Sequence, residues 1–275
     1  MPTARLELFE KTAHWPAPIL NDAMTLFDLR SLLLAGSLLL ATSTASLDAQ
    51  EEKLEEFANA HLLVQTDWLH QHMGDVGLCV VDVRSARDYA SGHIPGARNL
   101  PTEETFASKG PKGQIGSVEQ LGKLFGARGI DDNVRIILYD EGRSTAAARV
   151  FWTLEVHGHR NVSVVDGGFA KWKAQERAIT RDRPKPTPAI YKVGQPSKAL
   201  ATMEAVLEDV GDPDAIMLDS RSKREFKRGR IPQAVHIEWT ENYTSGDPSI
   251  FRTPQELKLL YTSAGVTPDK RVHAY

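Results

Sequence analysis

Three runs of apolar residues without polar alternation frame the chain: Leu78-Cys79-Val80-Val81, the nearly continuous stretch from Val134 to Tyr139, and Ala215 to Leu218. Runs of this length predict strands buried on both faces. Between them the apolar positions are spaced as on helices. Ser117 to Phe125 predicts a helix closed by Gly126 or Gly129, and Ala199 to Val210 predicts another. Thr253-Pro254-Gln255-Glu256-Leu257 predicts the opening of a further helix, with proline in its first turn. Upstream, Glu51 to Ala60 reads as a polar helical piece and Leu62-Leu63-Val64 as a short strand. The strand leads into a helix capped by Thr66 or Asp67. Strands alternating with helices predict an α/β fold with largely parallel sheets.

One of these strands opens a pattern that returns. From Asp82 to Ala97, eight of sixteen positions are identical to Asp219 to Ala234 at an offset of 137, including Asp82/Asp219, Arg84/Arg221, Gly92/Gly229 and Pro95/Pro232. Asp88/Glu225 and Tyr89/Phe226 add conservative matches. A period this long means two copies of one domain, since solenoid repeats are far shorter. Residues 60–180 are assigned to the first copy and 198–275 to the second. The charged, proline-rich stretch Arg181-Asp182-Arg183-Pro184-Lys185-Pro186-Thr187-Pro188 begins a linker over 181–197.

The first 49 residues read differently. Trp15-Pro16-Ala17-Pro18 breaks any helical period, and Met24 opens a segment in which Arg30 precedes the apolar run Leu32 to Ala41 and the small residues Thr42 to Ser46. That run is too short to span a bilayer but has the length of a secretory h-region, with small-residue cleavage positions at Ala45 or Ala49. The pattern predicts a signal peptide starting at Met24, residues 1–23 as an upstream extension, and a periplasmic or secreted protein. No cysteine follows the run, so attachment through a lipidated cysteine is not expected.

Composition narrows the chemistry. A chain of 275 residues with 41% hydrophobic content can bury two ordinary cores, and a net charge of −3 gives no general attraction to nucleic acid or an anionic membrane. Cys79 is the single cysteine, so neither an internal disulfide nor a cysteine-based zinc site can form within the chain. In a predicted buried strand, Cys79 reads as a small structural hydrophobe. No phosphate-binding or dinucleotide loop appears, and the histidines form no ligand cluster, so no cofactor or metal is expected.

The Asp-x-Arg strand end, the acidic-aromatic pair and Gly92-His93-Ile94-Pro95-Gly96-Ala97 resemble the rhodanese (sulfurtransferase) family. So do Ile136 to Asp140 leading into Ala146-Ala147-Ala148-Arg149, and Val164-Val165-Asp166-Gly167-Gly168-Phe169 with Trp172 beyond. The resemblance covers roughly residues 60–275 and is closest to tandem members acting on thiosulfate or 3-mercaptopyruvate. It implies two rhodanese-like domains, each a mostly parallel sheet flanked by helices. It also implies a cysteine persulfide that takes sulfane sulfur from a small anionic donor and passes it to a thiol or cyanide. Such a cysteine needs inward-pointing backbone amides ahead of a helix N-terminus, which stabilise its thiolate.

In the first copy the nucleophile's position holds Asp140, whose carboxylate cannot carry sulfane sulfur; that domain is expected to be non-catalytic, with Asp140 as a capping residue and His93 as a loop brace. In the second, Tyr139 aligns with Tyr275, so the catalytic cysteine is expected directly after Tyr275. The second domain is then expected to be incomplete as written and unable to fold alone. Arg221 and Arg224 are the candidate substrate-binding residues, with Arg221 also expected to pair with Asp219 or the loop backbone. Lys223, Lys227 and Arg228 read equally well as a solvated basic face. Glu225 stands where tandem members place a substrate-binding arginine, Arg230 where they have histidine, and Gln233 where they have glycine. A non-catalytic binding module is the alternative reading. A phosphatase of the same fold is opposed by the tandem layout and the Asp-Gly-Gly…Trp ending.

Overall fold

The computed structural model describes residues 57–275. The expectations for the extension, Met24, the apolar run, Ala45, Ala49 and residues 51–56 lie outside the described residues. Chain order gives β1 (Leu63–Val64), α1 (Thr66–His72), β2 (Leu78–Asp82), α2 (Ala86–Ser91), β3 (Arg98–Asn99), α3 (Val118–Ala127), β4 (Arg135–Tyr139), α4 (Thr145–Val156), β5 (Val162–Val165) and α5 (Gly168–Ala174). The second half continues with α6 (Met203–Asp209), β6 (Ala215–Asp219), α7 (Lys223–Arg228), β7 (Val235–His236), α8 (Pro254–Ser263) and β8 (Arg271–Ala274).

The first sheet has the order β1-β5-β4-β2-β3 and all its strand pairs are parallel. The continuous apolar runs are explained by its two covered faces. Cys79 and Val81 of β2, with Ile136 and Leu138 of β4, pack against Leu121 and Phe125 of α3 and Val150 and Leu154 of α4. The intervening Val80, Ile137 and Tyr139 pack on the other side with Leu69 of α1 and Phe169 and Trp172 of α5. Alternate side chains of one strand thus enter opposite cores. Trp172 is fully buried and donates its indole N–H to the Ala178 carbonyl at 2.8 Å, so its polar edge is satisfied while its ring fills the core.

The second sheet is smaller, with order β7-β6-β8 and both pairs parallel. Among the described residues β8 is an edge strand, whereas its first-domain counterpart β4 is flanked by β2 and β5. Its core gathers Leu218, Ile237, Val266 and Val272.

Local details depart from the sequence pattern. Neither Thr66 nor Asp67 caps α1: the N-cap is Gln65, without a side-chain cap bond, and Thr66 is the first helical residue. The buried Thr66 hydroxyl is drawn away to the exposed Gln175 at the C-terminal end of α5, at 2.6 Å, a partner that tertiary packing brings within reach. The helix predicted over 199–210 is confined to Met203–Asp209, because Thr202 caps it by accepting the Ala205 N–H. Residues 181–197 form no helix or strand but pack along the first domain. The Ala189 amide donates to Gly126 (2.9 Å), the Gly194 amide to His157 (3.0 Å), and the Tyr191 ring is buried against Phe125. Prolines cannot complete a strand ladder, yet single amides between them can still bond outward.

Candidate functional site

In an open parallel sheet the loops at the strand carboxyl ends form the crevice where connections diverge. Here β2 and β4 are adjacent, with chain leaving toward β3 on one side and β5 on the other, and the loops after them carry the chemistry-bearing residues.

At the end of β4 the Asp140 carboxylate turns into its own loop. Oδ1 accepts the amides of Gly142 (2.9 Å) and Ser144 (3.0 Å), and Oδ2 those of Ala146 (3.0 Å) and Ala147 (3.4 Å). Four converging N–H groups, two ahead of α4 and two in its first turn, make an anion cradle, and the carboxylate occupies it. The expected capping role of Asp140 is what the geometry shows. Gly168 presses on the same loop. Its φ is +51°, and a Cβ there would lie 2.6 Å from the Asp140 carbonyl oxygen and 3.0 Å from Gly142, so only glycine permits the approach. The preceding Asp166 accepts the Phe251 amide at 3.0 Å, tying the motif to the second half of the chain.

The loop is braced from β2. Arg84 grips Asp82 through Nε (3.0 Å) and Nη2 (2.6 Å), reaches the Gly92 carbonyl through Nη2 (2.8 Å), and contacts Glu141 through Nη1 (2.9 Å). Burial alone would depress the Arg84 guanidinium; the Asp82 carboxylate more than offsets this and keeps it protonated. Glu141, which the sequence reading passed over, joins Arg84 to Lys173. His93 is fully buried, each ring nitrogen 2.9 Å from a carbonyl oxygen, of Tyr89 and Asp182, and its ring stacks on Tyr89. It braces the loop, as expected.

The second domain repeats the frame. Arg221 holds Asp219 through Nε (2.9 Å) and Nη2 (2.5 Å) and reaches the Gly229 carbonyl (2.8 Å), as Arg84 does with Asp82 and Gly92. Burial pushes the Asp219 carboxyl up, but the bonds from Arg221 prevail and hold it below the usual carboxylate range. Tyr275 takes the Ile231 amide on its hydroxyl at 3.0 Å, and Tyr139 takes that of Ile94 at 3.1 Å. The Tyr275 carbonyl accepts the Ser220 amide (2.8 Å) just as the Tyr139 carbonyl accepts that of Val83 (3.0 Å). Tyr275, directly after β8, therefore takes the place that Tyr139 has at the end of β4. His236 replaces Asn99: each bonds the carbonyl of the motif arginine, His236 to Arg221 at 2.9 Å and Asn99 to Arg84 at 3.0 Å. The fixed offset of the repeat points to this pair.

The structure separates the two candidate arginines. Arg221 is committed to Asp219 and the loop backbone; only its Nη1, the atom that in Arg84 reaches Glu141, lacks a partner among the described residues. Arg224, on the first turn of α7, is exposed and has no ion-pair or hydrogen-bond partner among the described residues. Nothing in the contacts draws it to Tyr275. Glu225 is explained by local structure: it is the third residue of a capping box, accepting the Ser222 amide at 3.2 Å while its own amide bonds the Ser222 hydroxyl. Arg230 keeps the stacking role of His93 by lying 4.5 Å over the Phe226 ring. Gln233 adopts the positive φ (63°) that Gly96 (77°) has in the first copy.

An open cleft of about 1370 Å³ lies over the Asp140 loop, lined by Arg84, Arg143, Arg149 and Phe169 among others. No thiol faces it. Cys79 lies in β2, 3% exposed, with its thiol pushed up to about 11 by burial, which disfavours the thiolate. Among the described residues no group of three potential ligands is placed to hold a metal ion.

Comparison with known proteins agrees with this geometry. The family model for the rhodanese-like domain matches residues 65–175 and 202–275. A thiosulfate sulfurtransferase of Azotobacter vinelandii is 31% identical over 229 residues, spanning 80% of this chain and 83% of that one. The sulfur carrier protein TtuD of Thermus thermophilus is 29% identical over 240 residues, covering 80% and 83%. Among solved structures, SseA of Escherichia coli, described as a 3-mercaptopyruvate sulfotransferase, superposes with a TM-score of 0.71 at 26% identity, covering 78% of this chain and 87% of that one.

Proposed function

Because the chain belongs to the rhodanese family, we propose that it is a sulfurtransferase whose sulfur-carrying cysteine directly follows Tyr275 in the intact gene product. The observation that carries this reading is the matched ending of β4 and β8, Tyr139 against Tyr275. It supports reading the next residue as the counterpart of Asp140, around whose carboxylate the first domain closes four amides. A thiolate there would be stabilised as the Asp140 carboxylate is. It attacks the outer sulfur of thiosulfate, the S–S bond of the donor breaks with release of sulfite, and the persulfide then yields that sulfur to cyanide or a thiolate, returning the cysteine thiolate. With 3-mercaptopyruvate the leaving group is pyruvate.

Arg221 positions the loop through Asp219 and Gly229, and Arg224 supplies a free guanidinium for the anionic donor. The first domain, with Asp140 filling its cradle, serves the alternative role of a non-catalytic module. Export through a signal peptide starting at Met24 is part of the reading; sequencing the mature N-terminus should find it near Ala45 or Ala49, and recovery of uncleaved protein would sink that part. The activity itself is tested by thiocyanate formation from thiosulfate and cyanide by the intact gene product. Turnover that survives replacement of the residue after Tyr275 by serine would overturn the assignment.

A further inference from the structure

The two copies of the strand-loop-helix unit differ in a way their shared frame does not require. α2 carries one cation and one anion, Arg87 and Asp88; α7 carries Lys223, Arg224, Lys227 and Arg228 against Glu225, and Arg230 follows Gly229. All five cations are exposed, and none has a carboxylate within ion-pair distance among the described residues. Glu225 is spent on the capping box, and the Glu238 carboxylate accepts the Lys223 amide at 3.2 Å. Helix stability accounts for only part of this charge, since Lys227 and Arg228 lie in the last turn, where the dipole favours cations. Lys223/Lys227 and Arg224/Arg228 are like-charged pairs at i,i+4, and Lys223 and Arg224 occupy the first turn, where the helix dipole opposes cations. α2 uses the same serine cap with no net charge.

We propose that α7 and Arg230 form a docking ridge for an acidic protein surface, namely the partner that presents the acceptor thiol. α7 alone is about 9 Å long at the α-helical rise, and the ridge's five charges exceed what one small dianion can engage. Nucleic acid fits less well. The chain is net negative, and Phe226, the aromatic of the ridge, already stacks on His236 at 4.5 Å beneath Arg230. The ridge begins two residues after Arg221, whose guanidinium holds Asp219 and lies over the Tyr275 ring, so a partner seated on it is anchored beside the motif that reaches Tyr275. Complementary charge of this kind speeds encounter and selects partners. The partner's role as acceptor rests on the sulfurtransferase reading; the docking itself does not.

The test uses a fluorescent poly-L-glutamate peptide and anisotropy at low and high salt. The combined variant Lys223→Glu, Lys227→Glu, Arg228→Glu should weaken binding by at least about tenfold at low salt, with the difference shrinking as salt screens it. A control, Lys185→Glu, Lys192→Glu, Lys198→Glu, makes the same charge change at three lysines between 185 and 198, away from the ridge in sequence, and should change affinity by less than about twofold. The neutral variant Lys223→Gln, Lys227→Gln, Arg228→Gln keeps good helix formers and should lose affinity too, which guards against misfolding of the reversed ridge. Equal losses in ridge and control variants, or tighter binding of a DNA duplex than of poly-glutamate, would overturn the ridge. Should the intact protein show ridge-dependent binding without sulfur transfer, the catalytic reading fails and the ridge stands. Turnover without ridge-dependent binding has the opposite meaning.

Discussion

Ser220 is joined twice to Tyr275: its amide donates to the Tyr275 carbonyl at 2.8 Å, and its hydroxyl donates to the same oxygen at 2.7 Å. In the first domain Val83 makes only the amide bond to Tyr139. Among the described residues β8 pairs with β6 alone, and the extra bond adds to what fastens the end of the chain to the loop after β6. Ser220→Ala should cost about 0.5–1.5 kcal/mol, the net worth of one hydrogen bond. Urea unfolding with an unchanged slope would measure it, and a null shift would mean the hydroxyl contributes nothing.

Asp140 is held by four amides, so Asp140→Ala leaves those donors without their acceptor. A loss of roughly 1–3 kcal/mol is expected, and Asp140→Asn, which keeps one oxygen acceptor, should lose less. If both variants match the parent in thermal unfolding, water satisfies the cradle and the carboxylate is dispensable.

Cys79 should be silent chemically. Its thiol, pushed up to about 11 by burial, should resist alkylation at neutral pH in the native protein and react once the chain is unfolded. Cys79→Ala should lower stability by about 1 kcal/mol, the transfer energy of a methylene-sized group, and leave sulfur transfer by the intact protein unchanged. Lost turnover in that variant would return Cys79 to the site.

Asp209 accepts Arg271 Nε and Nη2, each at 2.7 Å, and the His273 imidazole. The Arg271 guanidinium holds its carboxyl below the usual range. A depressed native value means the stabilisation is present in full above the unfolded carboxylate value and is lost as pH falls through the native one. Asp209→Asn should therefore be less stable than the parent at neutral pH, with the gap closing below about pH 4. A gap that persists undiminished at acid pH would show that the bond network, without the charge, supplies the difference.

The donor-binding role proposed for Arg224 makes a kinetic prediction. In the intact protein, Arg224→Lys and Arg224→Ala should raise the Michaelis constant for the donor, with about 1–3 kcal/mol lost from transition-state binding. Lys227→Ala should act weakly and only at low salt. Donor kinetics untouched by Arg224→Ala would place the donor elsewhere on the second domain.

Much of this molecule was legible in the chain itself. Short continuous apolar runs alternating with helical periods point to strands in a parallel α/β sheet, so β2, β4 and β6 followed from Leu78–Val81, Val134–Tyr139 and Ala215–Leu218. The repeat did the same for the Asp-x-Arg brace, because identical residues at a fixed spacing recreate the same local bonds in both halves. The tertiary structure decided what depends on partners distant in sequence. Thr66 gave up its capping role to Gln175, more than a hundred residues away, and the proline-rich stretch packed on the first domain because Gly126, Phe125 and His157 offered it bonds and contacts. Glu141 found Arg84 and Lys173 only through the fold. Above all, Arg221 and Arg224 look alike as neighbouring cations, yet one is consumed by a carboxylate on the strand before it and the other stands free, because a side chain's chemistry is set by what the fold places within about 3 Å of it.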